Sequence, residues 1–198
     1  MMTMPKGLTS ASGIDALTHA LEAYASMMAT DYTDGLALKA MRSIFDYLPR
    51  AYTNGGSDPE AREKMANAST MAGMAFANAF LGINHSLAHK IGAEFHVPHG
   101  RTNAILLPYV IRYNGTKPEK PGVWPKYNYY KADEKYAELA RLIGLKFNTV
   151  EEGVVAYAKA CADLGADCGI KMSFKEQGLD AKAWDAAKEK IAYLAYED

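Results

Sequence analysis

Residues 82–100 read GINHSLAHKIGAEFHVPHG, and this stretch holds His85, His89, His96 and His99, four of the chain's five histidines. His85 and His89 stand four apart, so on a helix both project from one face. Gly82 reads as a break ahead of a short helix over 84–92. Val97-Pro98 starts the next helix, and the turn there can fold His99 back toward His85. No apolar–polar alternation long enough for a strand interrupts the stretch, and almost none flanks it. The expectation is an all-α fold, a helical bundle.

The rest of the chain extends the pattern. Thr9-Ser10-Ala11-Ser12-Gly13 offers capping hydroxyls ahead of a helix over 14–26. A second helix is expected over 33–47, bent or ended at Pro49. Ser57-Asp58-Pro59 is a strong start for a helix running to about Phe80. Beyond Val97-Pro98 a helix covers 101–113, kinked at Pro108, and further helices fall at 131–143, 149–164 and 180–194. Residues 114–130, with three prolines and the aromatics Tyr127, Tyr129 and Tyr130, read as a long surface excursion. Met65–Asn84 carries no charged residue, but Asn67, Ser69, Thr70 and Asn78 suit lipid poorly, so a central helix buried in protein is expected rather than a membrane span.

Composition excludes some partners. Lysines and arginines balance the acids to a net charge of −1 and form no long run, so nothing calls for a nucleic acid. Residues 1–12 lack the apolar core of a signal peptide, which makes Cys161 and Cys168 free thiols of a reducing, cytoplasmic setting. Met1-Met2-Thr3-Met4-Pro5 is apolar and extended. Residues 1–12 therefore read as a linker from a preceding domain, and 13–198 as one helical domain.

Chemistry concentrates on the histidines. His19, the fifth, follows Asp15 by four residues on the first helix, so a carboxylate oxygen and an imidazole nitrogen can reach one ion. Single helical histidines and Asp–His pairs are commonly satisfied or solvated residues, but the clustering favours a divalent metal site. Several ligand sets can be drawn from these groups. Oxygen and imidazole without thiolate suit Fe(II) or Zn(II), not an iron–sulfur cluster and not calcium. Four ligands with one position left open make a Lewis-acid catalytic site rather than a structural one. Glu22, three residues past His19, can support a ligand histidine, but the ordinary exposure of Glu favours a solvated side chain.

Residues 5–24, PKGLTSASGIDALTHALEAY, resemble the first signature of the iron-containing alcohol dehydrogenases, and residues 82–100 resemble the second. Asn103–Pro108, NAILLP, also fits. In finer detail the chain most resembles the C-terminal alcohol dehydrogenase half of the bifunctional aldehyde–alcohol dehydrogenases, through residues 29–34 (ATDYTD), 45–52 (FDYLPRAY) and 76–82 (FANAFLG). The resemblance implies the helical domain shared with dehydroquinate-synthase-like folds. It implies that Asp15, His19, His85 and His99 bind Fe(II), with Zn(II) a possible substitute. It implies that His89 is catalytic, near substrate and nicotinamide, and not a ligand. His96 matches no functional position and is taken as structural. The implied reaction is reversible hydride transfer between NAD(H) and a short-chain aldehyde or primary alcohol, acetaldehyde and ethanol favoured, in a homo-oligomer.

The chain departs from the family in two respects. The family's usual C-terminal helix is expected to be missing after Glu197-Asp198, so the C-terminal end of the helical metal-binding domain is read as truncated. The family's nucleotide-binding unit has a glycine-rich phosphate loop, and no GxGxxG occurs here. No cofactor-binding residue is therefore assigned, and the chain alone is expected to be inactive. A rival reading makes it a helical assembly module of a filament-forming enzyme, with a closed structural metal. The dehydroquinate-synthase type is a weaker alternative, because its metal site uses a different ligand set.

Overall fold

The structure, a computed structural model, describes residues 1–117 and 131–198. Among these residues there are helices and no strand: α1 (Lys6–Ala25), α2 (Asp31–Asn54), α3 (Pro59–Ala79), α4 (Ile83–Phe95), α5 (His99–Asn114), α6 (Ala132–Leu142), α7 (Val150–Asp167) and α8 (Ala181–Tyr196). The all-α expectation holds. Most of the expected surface excursion, including Tyr127, Tyr129 and Tyr130, lies outside the described residues.

Two boundaries differ from the sequence reading. α1 begins at Lys6 rather than at 14, because Thr9, Ser10 and Ser12 turn their hydroxyls back onto the carbonyls of Pro5, Gly7 and Leu8 instead of capping. The buried guanidinium of Arg62 then pins that first turn, donating to the Met4 carbonyl, the Thr9 hydroxyl and the Gly55 carbonyl. α2 passes through Pro49 to Asn54. An interior proline costs a helix about 3 kcal/mol, and burying Leu48 and Ala51, on either side of it, offsets that cost.

The other ends follow local chemistry. Thr30 and Thr33 form a reciprocal cap on α2, and Asp58, Thr149 and Asp180 each accept a main-chain N–H at the starts of α3, α7 and α8. α1 is the central helix, in contact with α2, α3, α5, α6 and α4. Its Leu17 and Leu21 join Met41, Ile44 and Leu48 of α2, Leu107 and Ile111 of α5, and Tyr136, Leu139 and Tyr157 in one core. A smaller cluster of Ile91, Ala187 and Ile191, with Phe95 and Trp184 against it, ties α8 onto α4.

α3 corrects one expectation. Ala68, Ala72, Ala75 and Ala79 form a buried stripe that lets α3 approach its neighbours closely, but Asn67, Ser69, Thr70 and Asn78 are exposed. The charge-free stretch therefore has a buried face and a wet face. No described helix is long and apolar enough to cross a membrane. Cys161 and Cys168 are free and buried.

Candidate metal centre

Asp15 and His19 come from the middle of α1, His85 and His89 from α4, and His99 from the first turn of α5. The turn expected at Val97-Pro98 brings the last two helices together. His96 closes α4 in the left-handed conformation at φ 55°, with its N–H on the Gly92 carbonyl, and the chain reverses into α5. Gly100 then packs so tightly on the main chain of Ala11 that a Cβ there has no room, which seats α5 directly against the helix that carries Asp15.

The side chains of Asp15, His85 and His99 each bring one ligand atom into a set whose members lie within 4.8 Å of one another. Asp15 Oδ1 is 3.3 Å from His99 Nε2 and 3.6 Å from His85 Nε2. His19 adjoins this set without entering it as tightly. Its ring lies 4.2 Å from that of His85 and 4.5 Å from that of Phe76, and its Nδ1 is 3.7 Å from the Asp15 carboxylate.

Hydrogen bonds determine which nitrogen each ring offers. His19 Nδ1 sits 2.8 Å from the Asp15 carbonyl, which can only accept, so Nδ1 carries the proton and Nε2 the lone pair. His85 Nδ1 lies 2.5 Å from Glu22 Oε2, and its Nε2 is buried with no hydrogen-bond partner. The Asn103 amide donates to Asp15 Oδ1 at 2.6 Å and to His99 Nε2 at 3.0 Å. Asn84 in turn donates to Asn103 Oδ1 at 2.8 Å, which fixes which way that amide points. His19 thus turns a free Nε2 lone pair, and His85 a buried Nε2 without a protein partner, toward one carboxylate, while His99 Nε2 accepts from Asn103. An orphaned buried nitrogen in a set of one oxygen and several imidazoles fits a divalent ion such as Fe(II) or Zn(II).

The charges reinforce this. Burial opposes ionisation of Asp15, but His85, His19, Asn103 and His99 outweigh it and hold the carboxyl below its usual range. Burial and the neighbouring His85 lower His19, and burial lowers His99. Burial also works against a charged His85, yet the facing Asp15 and Glu22 carboxylates raise it to about 9. The cluster therefore favours one positive charge at its centre, which a metal cation can replace.

His89 stands apart from the set. It is half exposed, its ring stacks on His99 at 5.3 Å, and its Nδ1 donates to Asp198 Oδ2 at 3.0 Å. Beside it opens a cavity of about 680 Å³, walled by Phe76, Phe80, Leu81 and Ile83 and reaching His85 and His89. Two buried groups escaped the sequence reading, and for a third, Glu22, the less favoured of its two readings holds. Glu22, expected in solvent, is 5 % exposed and bonded to His85, because the start of α4 packs over α1. Asn84 and Asn103 are fully buried, and their spacing carries no periodic signal.

The family model for the C-terminal part of the Fe-containing alcohol dehydrogenases matches residues 9–198. The chain belongs to the iron-containing alcohol dehydrogenase family. It is 61 % identical over its whole length to an aldehyde-alcohol dehydrogenase of Streptococcus pneumoniae, of which it covers 22 %. Among solved structures, the alcohol dehydrogenase of Oenococcus oeni matches all of this chain with 35 % identity and a TM-score of 0.86. A 1,3-propanediol oxidoreductase matches all of it with 38 % identity and a TM-score of 0.85. In both cases the chain spans 47 % of the longer protein.

Proposed function

We propose that these residues form the metal-binding catalytic part of an NAD-dependent alcohol dehydrogenase that interconverts a short-chain aldehyde and a primary alcohol, acetaldehyde and ethanol being the favoured pair. The observation that carries this reading is the convergence of Asp15, His85 and His99 within 4.8 Å, with His19 beside them and His85 at the wall of an apolar cavity. Asp15, His19, His85 and His99 would hold Fe(II), with Zn(II) as a substitute. A bound cation of this kind supplies Lewis acidity toward a carbonyl or hydroxyl oxygen.

The chain's own residues supply the rest. The cavity has the size of a small-molecule site, and Phe76, Phe80, Leu81 and Ile83 give its apolar wall an affinity for a short alkyl group. His89, at the wet rim, exchanges a proton with solvent through a ring that Asp198 orients at Nδ1. No residue here is assigned to the nicotinamide. The proposal places it on a nucleotide-binding domain joined ahead of α1, so that the linker expected over 1–12 shrinks to the residues before Lys6, within a cytoplasmic homo-oligomer. His85 of the set lines the cavity, and the His99 side chain is 41 % exposed, which favours catalysis over a closed structural metal in an assembly module.

The test is NADH-dependent reduction of acetaldehyde by a protein in which this chain follows such a domain. Activity that disappears on chelation and returns with Fe(II) is the expected result. Activity untouched by chelation would overturn the reading.

A further inference from the structure

Glu22 is a carboxylate inside the bundle, one turn beyond His19 on α1 and outside the candidate ligand set. Its Oε1 accepts the Asn84 N–H at 2.7 Å, and its Oε2 lies 2.5 Å from His85 Nδ1 and 3.4 Å from the His85 main-chain N. Asn84 and His85 open α4, whose N-cap, Gly82, has no side chain to satisfy the free N–H groups of that first turn. A carboxylate from another helix performs that task, where its charge also suits the helix dipole. Gly82 permits the approach, since a Cβ there would stand 3.0 Å from Glu22 Oε1.

We propose that Glu22 is a positioning residue for the metal centre: by capping α4 and taking the His85 Nδ1 proton in the same grip, it presents the bare Nε2 of His85 to Asp15 and His99. The inference rests on the reading that those residues hold a cation. Three donors converge on Glu22, the Asn84 N–H, the His85 main-chain N–H and the His85 Nδ1–H, and the two oxygens of a carboxylate can accept them all. A glutamine has one acceptor. If its oxygen keeps the Asn84 N–H, its NH2 faces His85. The ring must then accept at Nδ1 and carry its proton on Nε2, where the cation would bind.

The experiment compares the 198-residue chain with Glu22→Gln and with Thr149→Ala, which removes the side-chain cap of α7 far from the centre. Zinc affinity is read by competition titration, and helix content by circular dichroism. Glu22→Gln is expected to weaken zinc binding about 10- to 100-fold, and Thr149→Ala to leave it unchanged. Two-bond imidazole NMR of the metal-free chain, above the pH at which His85 titrates, reads the tautomer directly. The proton is expected on Nδ1 in the parent chain and on Nε2 in Glu22→Gln. Zinc binding by Glu22→Gln as tight as the parent's, equal weakening by Thr149→Ala, or a parent His85 protonated on Nε2 would each overturn the proposal. A parent chain that binds no zinc would overturn the metal reading, and the NMR measurement would still decide the role of Glu22.

Discussion

His85→Gln is expected to cost a dehydrogenase containing this chain its metal, while His89→Gln keeps the metal and slows turnover. The two histidines share a face of α4, yet their surroundings differ. His85 is buried, its Nδ1 is bonded to Glu22 and its Nε2 has no partner among the protein groups. A glutamine there cannot place a nitrogen lone pair at the same point, and the loss should exceed the ~100-fold that removing a supporting partner costs. His89 is half exposed, touches the set only by stacking on His99, and binds Asp198. Losing a proton-transfer group lowers a rate by about 10²- to 10⁴-fold, with no ligand removed. Elemental analysis beside steady-state kinetics checks both. Equal metal loss in the two variants would show that ligand and relay have been wrongly separated.

The second large effect concerns the chain alone. Loaded with Fe(II), these 198 residues are expected to give no measurable NADH oxidation with acetaldehyde. Hydride transfer needs the nicotinamide held in contact with the substrate carbon, and that placement commonly comes from a phosphate loop at a helix N-terminus. The sequence has no GxGxxG, and none of the described residues forms a strand that could precede such a loop. The chain is still expected to fold, because one core joins α1, α2, α5, α6 and α7. An absorbance assay at 340 nm, on protein free of longer species, checks this. Steady oxidation would mean that the cofactor site lies within this chain.

Much of this was legible locally. Helical spacing put Asp15 with His19 and His85 with His89 on common faces, and Val97-Pro98 signalled the reversal that brings His99 back. What was not legible depends on contacts between distant segments. Glu22 reads as a solvated residue until α4 is laid across α1, and nothing in the spacing of Asn84 and Asn103 announces that they meet at 2.8 Å. The early start of α1 depends on Arg62 reaching back to Met4 and Thr9. The passage of α2 through Pro49 depends on core burial that outweighs a local penalty. Hydroxyls at Thr9, Ser10 and Ser12 mimic a cap in sequence but bond within the helix in space.

The most direct test of the account is anomalous diffraction at the iron edge from crystals of the chain loaded with Fe(II) without oxygen. One peak per chain is expected, with Asp15, His19, His85 and His99 each contributing an atom at roughly 2.0–2.2 Å. For His19, that requires its Nε2 to join the set from which it now stands slightly apart. A fully loaded protein whose peak lies away from these four side chains would contradict the account.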